Sequence, residues 1–217
     1  MSDRYRAGDS EELIQRVGAD HAIQILILEP LFEEKNRTRR LIAQMMRLLD
    51  GEAIGTALPD LPGTGESMIN VDALEFADWL DAVHSVIEAV QPSVIASLRG
   101  GCLLDASVSP APRWRFAPET GVRLVRDLER TRLTGEADDS VYGGHRLRQS
   151  FVEHIRSAPL QPYPRCRTVR LDTDALEADL KVSGTPLWRR AEPGEDAALA
   201  KYLADDLALW SRTCAAS

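Results

Sequence analysis

Ser97-Leu98-Arg99-Gly100-Gly101 is the stretch of this chain whose spacing speaks most directly of chemistry. It follows an apolar run and has the form small residue, spacer, central residue, spacer, glycine, which lets a strand turn sharply into a helix and lifts the central side chain above a sheet. In an acyl-transfer enzyme such a turn presents a serine, which a histidine oriented by a carboxylate deprotonates. Here the lifted residue is Arg99, whose guanidinium stays protonated and cannot attack a carbonyl carbon. The histidines are His21, His84, His145 and His154, so none follows Val169, where the chain order serine, acid, histidine needs one. A serine triad is not expected.

Neighbouring groups offer substitutes, each with a plainer reading beside it. Ser97 ends the strand and reads as a small residue that the tight turn needs. Cys102 follows the turn, where a helix N-terminus could lower its pKa, but a small buried hydrophobe is the simpler account. Glu33 and Glu34 lie in the polar loop 30–40, at the place of an oxyanion loop, where two carboxylates would oppose a developing negative charge. One of these acids could instead hold Arg99 in a charge-assisted, bidentate link. Asn36 and the run Arg37, Arg39, Arg40 then begin the next helix, a place the helix dipole disfavours for arginine, so they could face an anion or a partner. His145 sits in the turn Tyr142-Gly143-Gly144-His145, which could overhang the sheet end or simply be solvated, and His84 reads as a packing or surface residue. The candidate cleft is therefore Glu33, Glu34, Asn36, Arg99, Gly100 and His145. No histidine stands at ligand spacing from acids, and Gly63-Thr64-Gly65 is too short for a dinucleotide fingerprint or a P-loop, so neither a metal nor a cofactor is expected.

Strand ends must hold these residues. The continuous apolar runs at Ala22–Leu28, Ile54–Leu58 and Ser93–Ala96 predict adjacent central strands of a parallel sheet, buried on both faces. Between them Leu41, Met45, Leu48 and Leu49 recur at helical spacing, as do Val71, Leu74, Trp79, Val83, Val86 and Val90 in a helix that Asn70 would cap. A fourth strand over 113–118 precedes a basic helix with Leu124, Val125 and Leu128 facing inward. Further strands over 166–174 and around 182–188 and a closing helix over 195–210 complete the alternation. The expectation is a single three-layer α/β domain over 22–217 with a mainly parallel sheet, whose ligand site lies at the carboxyl ends of the strands. Residues 1–21 read as a polar N-terminal arm or a short capping helix.

The chain resembles the α/β-hydrolase-like proteins associated with bacterial exosortase systems, notably the second hydrolase of the exosortase A type. The likeness rests on Phe32-Glu33-Glu34-Lys35-Asn36 with Arg39-Arg40, on Asp60-Leu61-Pro62-Gly63-Thr64-Gly65-Glu66-Ser67, and on Leu98-Arg99-Gly100-Gly101. The segments 113–133, 142–147 and 183–194 resemble the family's later elements, so the likeness spans roughly residues 22–210. The resemblance implies an α/β-hydrolase-like fold and a setting in exopolysaccharide export and carboxy-terminal protein sorting. Beside the family pattern the first strands look absent, which implies a reduced sheet.

Composition narrows the functions further. With 26 Lys+Arg against 34 Asp+Glu, the 217 residues carry a formal net charge of −8, which opposes a broad nucleic-acid or anionic-membrane surface. No apolar run approaches the roughly 20 residues of a membrane-spanning helix, and the start has no apolar stretch for a signal peptide, so a cytoplasmic protein is expected. Three scattered cysteines fit no disulfide framework. A non-hydrolytic binding or accessory protein, taking a small molecule or a protein segment in the strand-end cleft, is favoured by the missing nucleophile. The alternatives are an enzyme acting on an acyl or glycosyl substrate through Glu33, Glu34 or Cys102, and a purely structural subunit.

Overall fold

The computed structural model describes residues 2–106, 109–131, 140–142 and 144–216. In chain order the elements are β1 (Ser2–Ala7), β2 (Ser10–Val17), β3 (Ile23–Leu28), α1 (Glu33–Gly51), β4 (Ile54–Pro59), α2 (Phe76–Val90), β5 (Val94–Leu98), β6 (Arg113–Phe116), α3 (Gly121–Arg130), β7 (Val141–Tyr142), β8 (His145–Arg146), α4 (Gln149–Ser157), β9 (Cys166–Leu171), β10 (Leu180–Val182) and α5 (Ala197–Ala215). Eight of the strands form one sheet in the order β1-β2-β4-β3-β5-β6-β9-β10, while β7 and β8 pair separately. From β4 to β10 every neighbour is parallel; only β1 with β2 and β2 with β4 are antiparallel.

The three expected central strands stand side by side as β4, β3 and β5. Their apolar runs are continuous because both faces are covered. Along β3, Ile25 and Ile27 point into a core shared with Leu41 and Met45 of α1 and Leu203 and Leu207 of α5. Leu26 and Leu28 point the other way, into a core with Trp79 and Val83 of α2, Leu124 of α3 and Phe151 of α4. This is the period-two alternation of a strand sandwiched between two helical layers.

Several expectations need correction. Residues 1–21 are not an arm, because β1 and β2 form a hairpin that adds two strands to the main sheet, with Tyr5, Ala7 and Ile14 buried. The sheet is accordingly not reduced. The stretch 33–40 is not a loop but the first two turns of α1, which places Glu33 and Glu34 in the first turn, where the helix dipole favours acids, and moves Arg37, Arg39 and Arg40 away from the terminus. Asn70 does not cap α2: a 3-10 turn spans Val71–Ala73, and α2 starts at Phe76 under a capping box between Glu75 and Asp78. The late strand is Leu180–Val182, and the Leu187–Arg189 segment is a 3-10 turn that returns the chain over the strand ends.

Candidate functional site

The turn after β5 has the conformation that its spacing demands. Arg99 has φ 52, a left-handed conformation that a side chain with a Cβ adopts only under strain. Gly101 makes the turn possible, since a Cβ there would lie 2.4 Å from the carbonyl oxygen of Glu29 and 2.5 Å from that of Leu28. Two further non-glycine residues have positive φ at neighbouring strand ends, Phe32 (φ 56) after β3 and Ala117 (φ 45) after β6. Ala117 accepts a bond from the Arg99 guanidinium, and Phe32 lines the same cleft.

That guanidinium is the centre of a clamp. Arg99 Nε donates to Glu34 Oε2 at 3.1 Å and Nη2 to Glu34 Oε1 at 2.9 Å, a two-pronged pair from α1. The same Nη2 lies 3.0 Å from Glu119 Oε2, in the segment between β6 and α3. Nη1 donates to the carbonyl oxygen of Ala117 at 3.2 Å, and the guanidinium carbon sits 4.7 Å from the centre of the Trp188 ring. Three segments thus converge on one side chain that is only 9% exposed. Burial pushes the Glu34 carboxyl above its ordinary value against the pull of the Arg99 charge, and the nearby Glu119 charge adds to the rise.

No family model matches the sequence, nor does any curated protein. Solved structures do match. Est1E from Butyrivibrio proteoclasticus with bound ferulic acid is 12% identical with a TM-score of 0.70, covering 99% of this chain and 100% of that one. The esterase domain of a Rhodothermus marinus protein is 12% identical at a TM-score of 0.64, covering 98% of each chain. The bottromycin epimerase BotH, in complex with bottromycin A2, is 13% identical at a TM-score of 0.58, covering 95% of this chain and 98% of that one.

The chain has an α/β-hydrolase-like fold.

Within this α/β-hydrolase-like fold, Arg99 stands at the tip where the elbow spacing would present a nucleophile, and the late loop reaches it with Trp188 rather than a histidine. The serine of the turn is not free to replace the missing nucleophile. Ser97 is fully buried and donates to Asp105 Oδ2 at 2.5 Å, while Arg115 closes the network with 2.8 Å and 2.6 Å bonds to the same carboxylate. Cys102 is buried beside that network, and burial, then the Asp105 charge, push its thiol far above the ordinary range. It packs in the core.

Above the clamp lies a cleft of about 530 Å³ between α1, α3 and the Leu187–Arg189 turn. Of the six expected residues, Glu33, Glu34 and Arg99 line it. His145 approaches its edge, with Nε2 3.8 Å from Glu33 Oε1 and its ring 5.8 Å from that of Phe32. Gly100 is buried below the cleft, where an added Cβ would come within 3.1 Å of Leu124 and 3.2 Å of Leu31. Asn36 is exposed on α1 and is not part of the lining. The turn after Arg99 is a five-residue 3-10 segment, too short to offer the helix N-terminus that an anion would need there.

Glu119 and Trp188 stand at the site without having been singled out in the sequence, and Arg123, Arg126 and Arg130 of the basic helix α3, whose arginines read as a solvated face, line the cleft. The one available signal for Glu119 was its place immediately beyond a strand end, ahead of the Thr120 cap of α3. The Asp60 turn, by contrast, is structural. Asp60 accepts Lys35 Nζ at 3.0 Å and the Glu66 N–H at 3.1 Å, and Lys35 also meets Glu29 at 2.7 Å, so this loop is tied to the first turns of α1. Among the described residues no group of three or more His, Cys, Asp or Glu side chains could hold a metal ion. Among the described residues no helix is long and apolar enough to cross a membrane.

Proposed function

We propose that this protein is a non-hydrolytic member of the α/β-hydrolase-like fold that binds its ligand in the cleft above Arg99. The observation that carries the reading is the clamp itself: the elbow tip is an arginine, and Glu34 and Glu119 occupy its donor edges, so the turn braces the strand ends where a nucleophile would stand. Ser97 and Cys102, which flank the elbow tip in sequence, are buried in the core. Fold neighbours named as esterases and one named as an epimerase have their own chemistries, so the fold leaves the reaction open and the site decides.

The test is direct. Purified protein should not hydrolyse p-nitrophenyl butyrate above background and should not react with a serine-directed fluorophosphonate. Stoichiometric labelling of one serine, lost when that serine is mutated, would overturn the reading. The resemblance of Phe32-Glu33-Glu34-Lys35-Asn36, the Asp60–Ser67 turn and Leu98-Arg99-Gly100-Gly101 to exosortase-associated hydrolases supports an accessory role in bacterial exopolysaccharide export and protein sorting. Deletion of the gene should then lower exported polysaccharide at unchanged growth; an unaltered yield would remove that role.

A further inference from the structure

The cleft above the clamp is basic in an acidic protein. The chain carries −8 overall, yet the lining holds six arginines against four carboxylates. They are not equivalent. Arg99 is consumed by Glu34 and Glu119, Arg130 pairs with Asp127 at 3.1 Å, and Arg123 lies 3.9 Å from Glu119. Arg126 of α3 and Arg189 of the late turn line the cleft, and their side chains have no hydrogen-bond or ion-pair partner among the described residues. Arg37 of α1 gives one N–H to the Trp188 carbonyl oxygen at 2.9 Å and meets no carboxylate among the described residues. Three elements thus bring unneutralised guanidinium groups to one concave surface, where low-dielectric walls focus their field. Apart from Thr131, the rest of the lining is apolar: Leu31, Phe32, Leu124, Leu128 and Trp188.

Resting on the reading of this cleft as a binding site, we infer that its ligand is a small amphipathic anion. Arg37, Arg126 and Arg189 grip a carboxylate or phosphate-type head at the rim, and an apolar body lies on Leu124 and Trp188. Arginine suits this role because its planar fork matches such oxyanions and its charge is never lost. The volume of about 530 Å³ is that of a small-molecule pocket. Arg99 does not take the head, because its forks are already filled.

Octanoate and octylphosphonate carry the two head groups on one apolar body, and octan-1-ol carries none. Calorimetric titration should show saturable binding of an anion and binding of octan-1-ol weaker by roughly tenfold or more. Binding of only one anion supports the proposal and assigns the head group. The exposed double variant Arg126→Ala/Arg189→Ala, with its fold checked by circular dichroism, should weaken anion binding by roughly tenfold or more. The exposed Arg4→Ala control, on β1, should not. Absent binding, equal affinity for octan-1-ol, an unaffected double variant, or an equal loss in the control would each overturn the proposal. Neither anion has an ester to cleave, so failure here leaves the non-hydrolytic reading standing, and ester hydrolysis would leave this result untouched.

Discussion

Arg99 and Glu34 meet edge to edge across two strand ends, Nε to Oε2 at 3.1 Å and Nη2 to Oε1 at 2.9 Å, with Glu119 on the far side of the same Nη2. One cation therefore separates two buried acids. Its removal does more than delete a bond, because it leaves two carboxylates of like charge facing each other away from water.

Arg99→Ala should lower stability by about 3 kcal/mol or more, the range for stripping one partner from a buried ion pair. In a chain of this size that is a fall in Tm of about 6 °C or more. Glu34→Gln should cost less, since Glu119 still neutralises the guanidinium. Glu33→Gln should melt like the parent, because Glu33 is 42% exposed at its side chain and makes no contact with Arg99. Calorimetric melts of the three variants decide the matter; a parent-like Arg99→Ala would mean the clamp contributes nothing.

Arg99→Ser places a hydroxyl at the elbow tip and should still give no esterase. A serine there lacks a base from the late loop, where Trp188 stands, and the substitution also opens the clamp. Turnover of p-nitrophenyl butyrate by the folded variant above the parent's rate would contradict this.

Cys102 should stay unmodified when the native protein is treated with iodoacetamide near pH 8. Its thiol is fully buried and its pKa is driven far upward, so the reactive thiolate is scarce and shielded. Peptide mass spectrometry before and after denaturation reads the outcome, and labelling of Cys102 in the folded state would show that the core around Ser97 and Asp105 opens.

Asp196 caps α5, accepting the Leu199 N–H and the Thr185 N–H at 2.9 Å each. Partial burial opposes its charge, but these backbone donors outweigh that and hold its carboxyl below the ordinary aspartate value. A depressed native pKa contributes stability above the unfolded-state value, and this is lost as pH falls through the native one. Asp196→Ala should therefore cost about 1 kcal/mol at neutral pH. The gap from the parent should narrow as the pH drops below about 4. Denaturant melts at several pH values check it; a gap that widens in acid would reverse the assignment.

The central strands and the elbow were readable from residues alone because their causes are local. Runs such as Ile25-Leu26-Ile27-Leu28 need two covered faces, and the glycine at 101 answers a clash with the backbone of β3 that any turn of this shape meets. The pairing of a loop acid with Arg99 was legible from charge and placement, although only folding chose Glu34 over Glu33, by the side of α1 on which each lies. The first two strands were hidden because one of their faces is solvated: Tyr5, Ala7 and Ile14 are buried among charged neighbours that resemble an arm. Trp188 had no signal in the sequence, and Glu119 only its place beyond a strand end. They reach Arg99 from beyond β6 and β10, and what makes them part of the site is the parallel order of the sheet, which brings the carboxyl ends of distant strands to one edge.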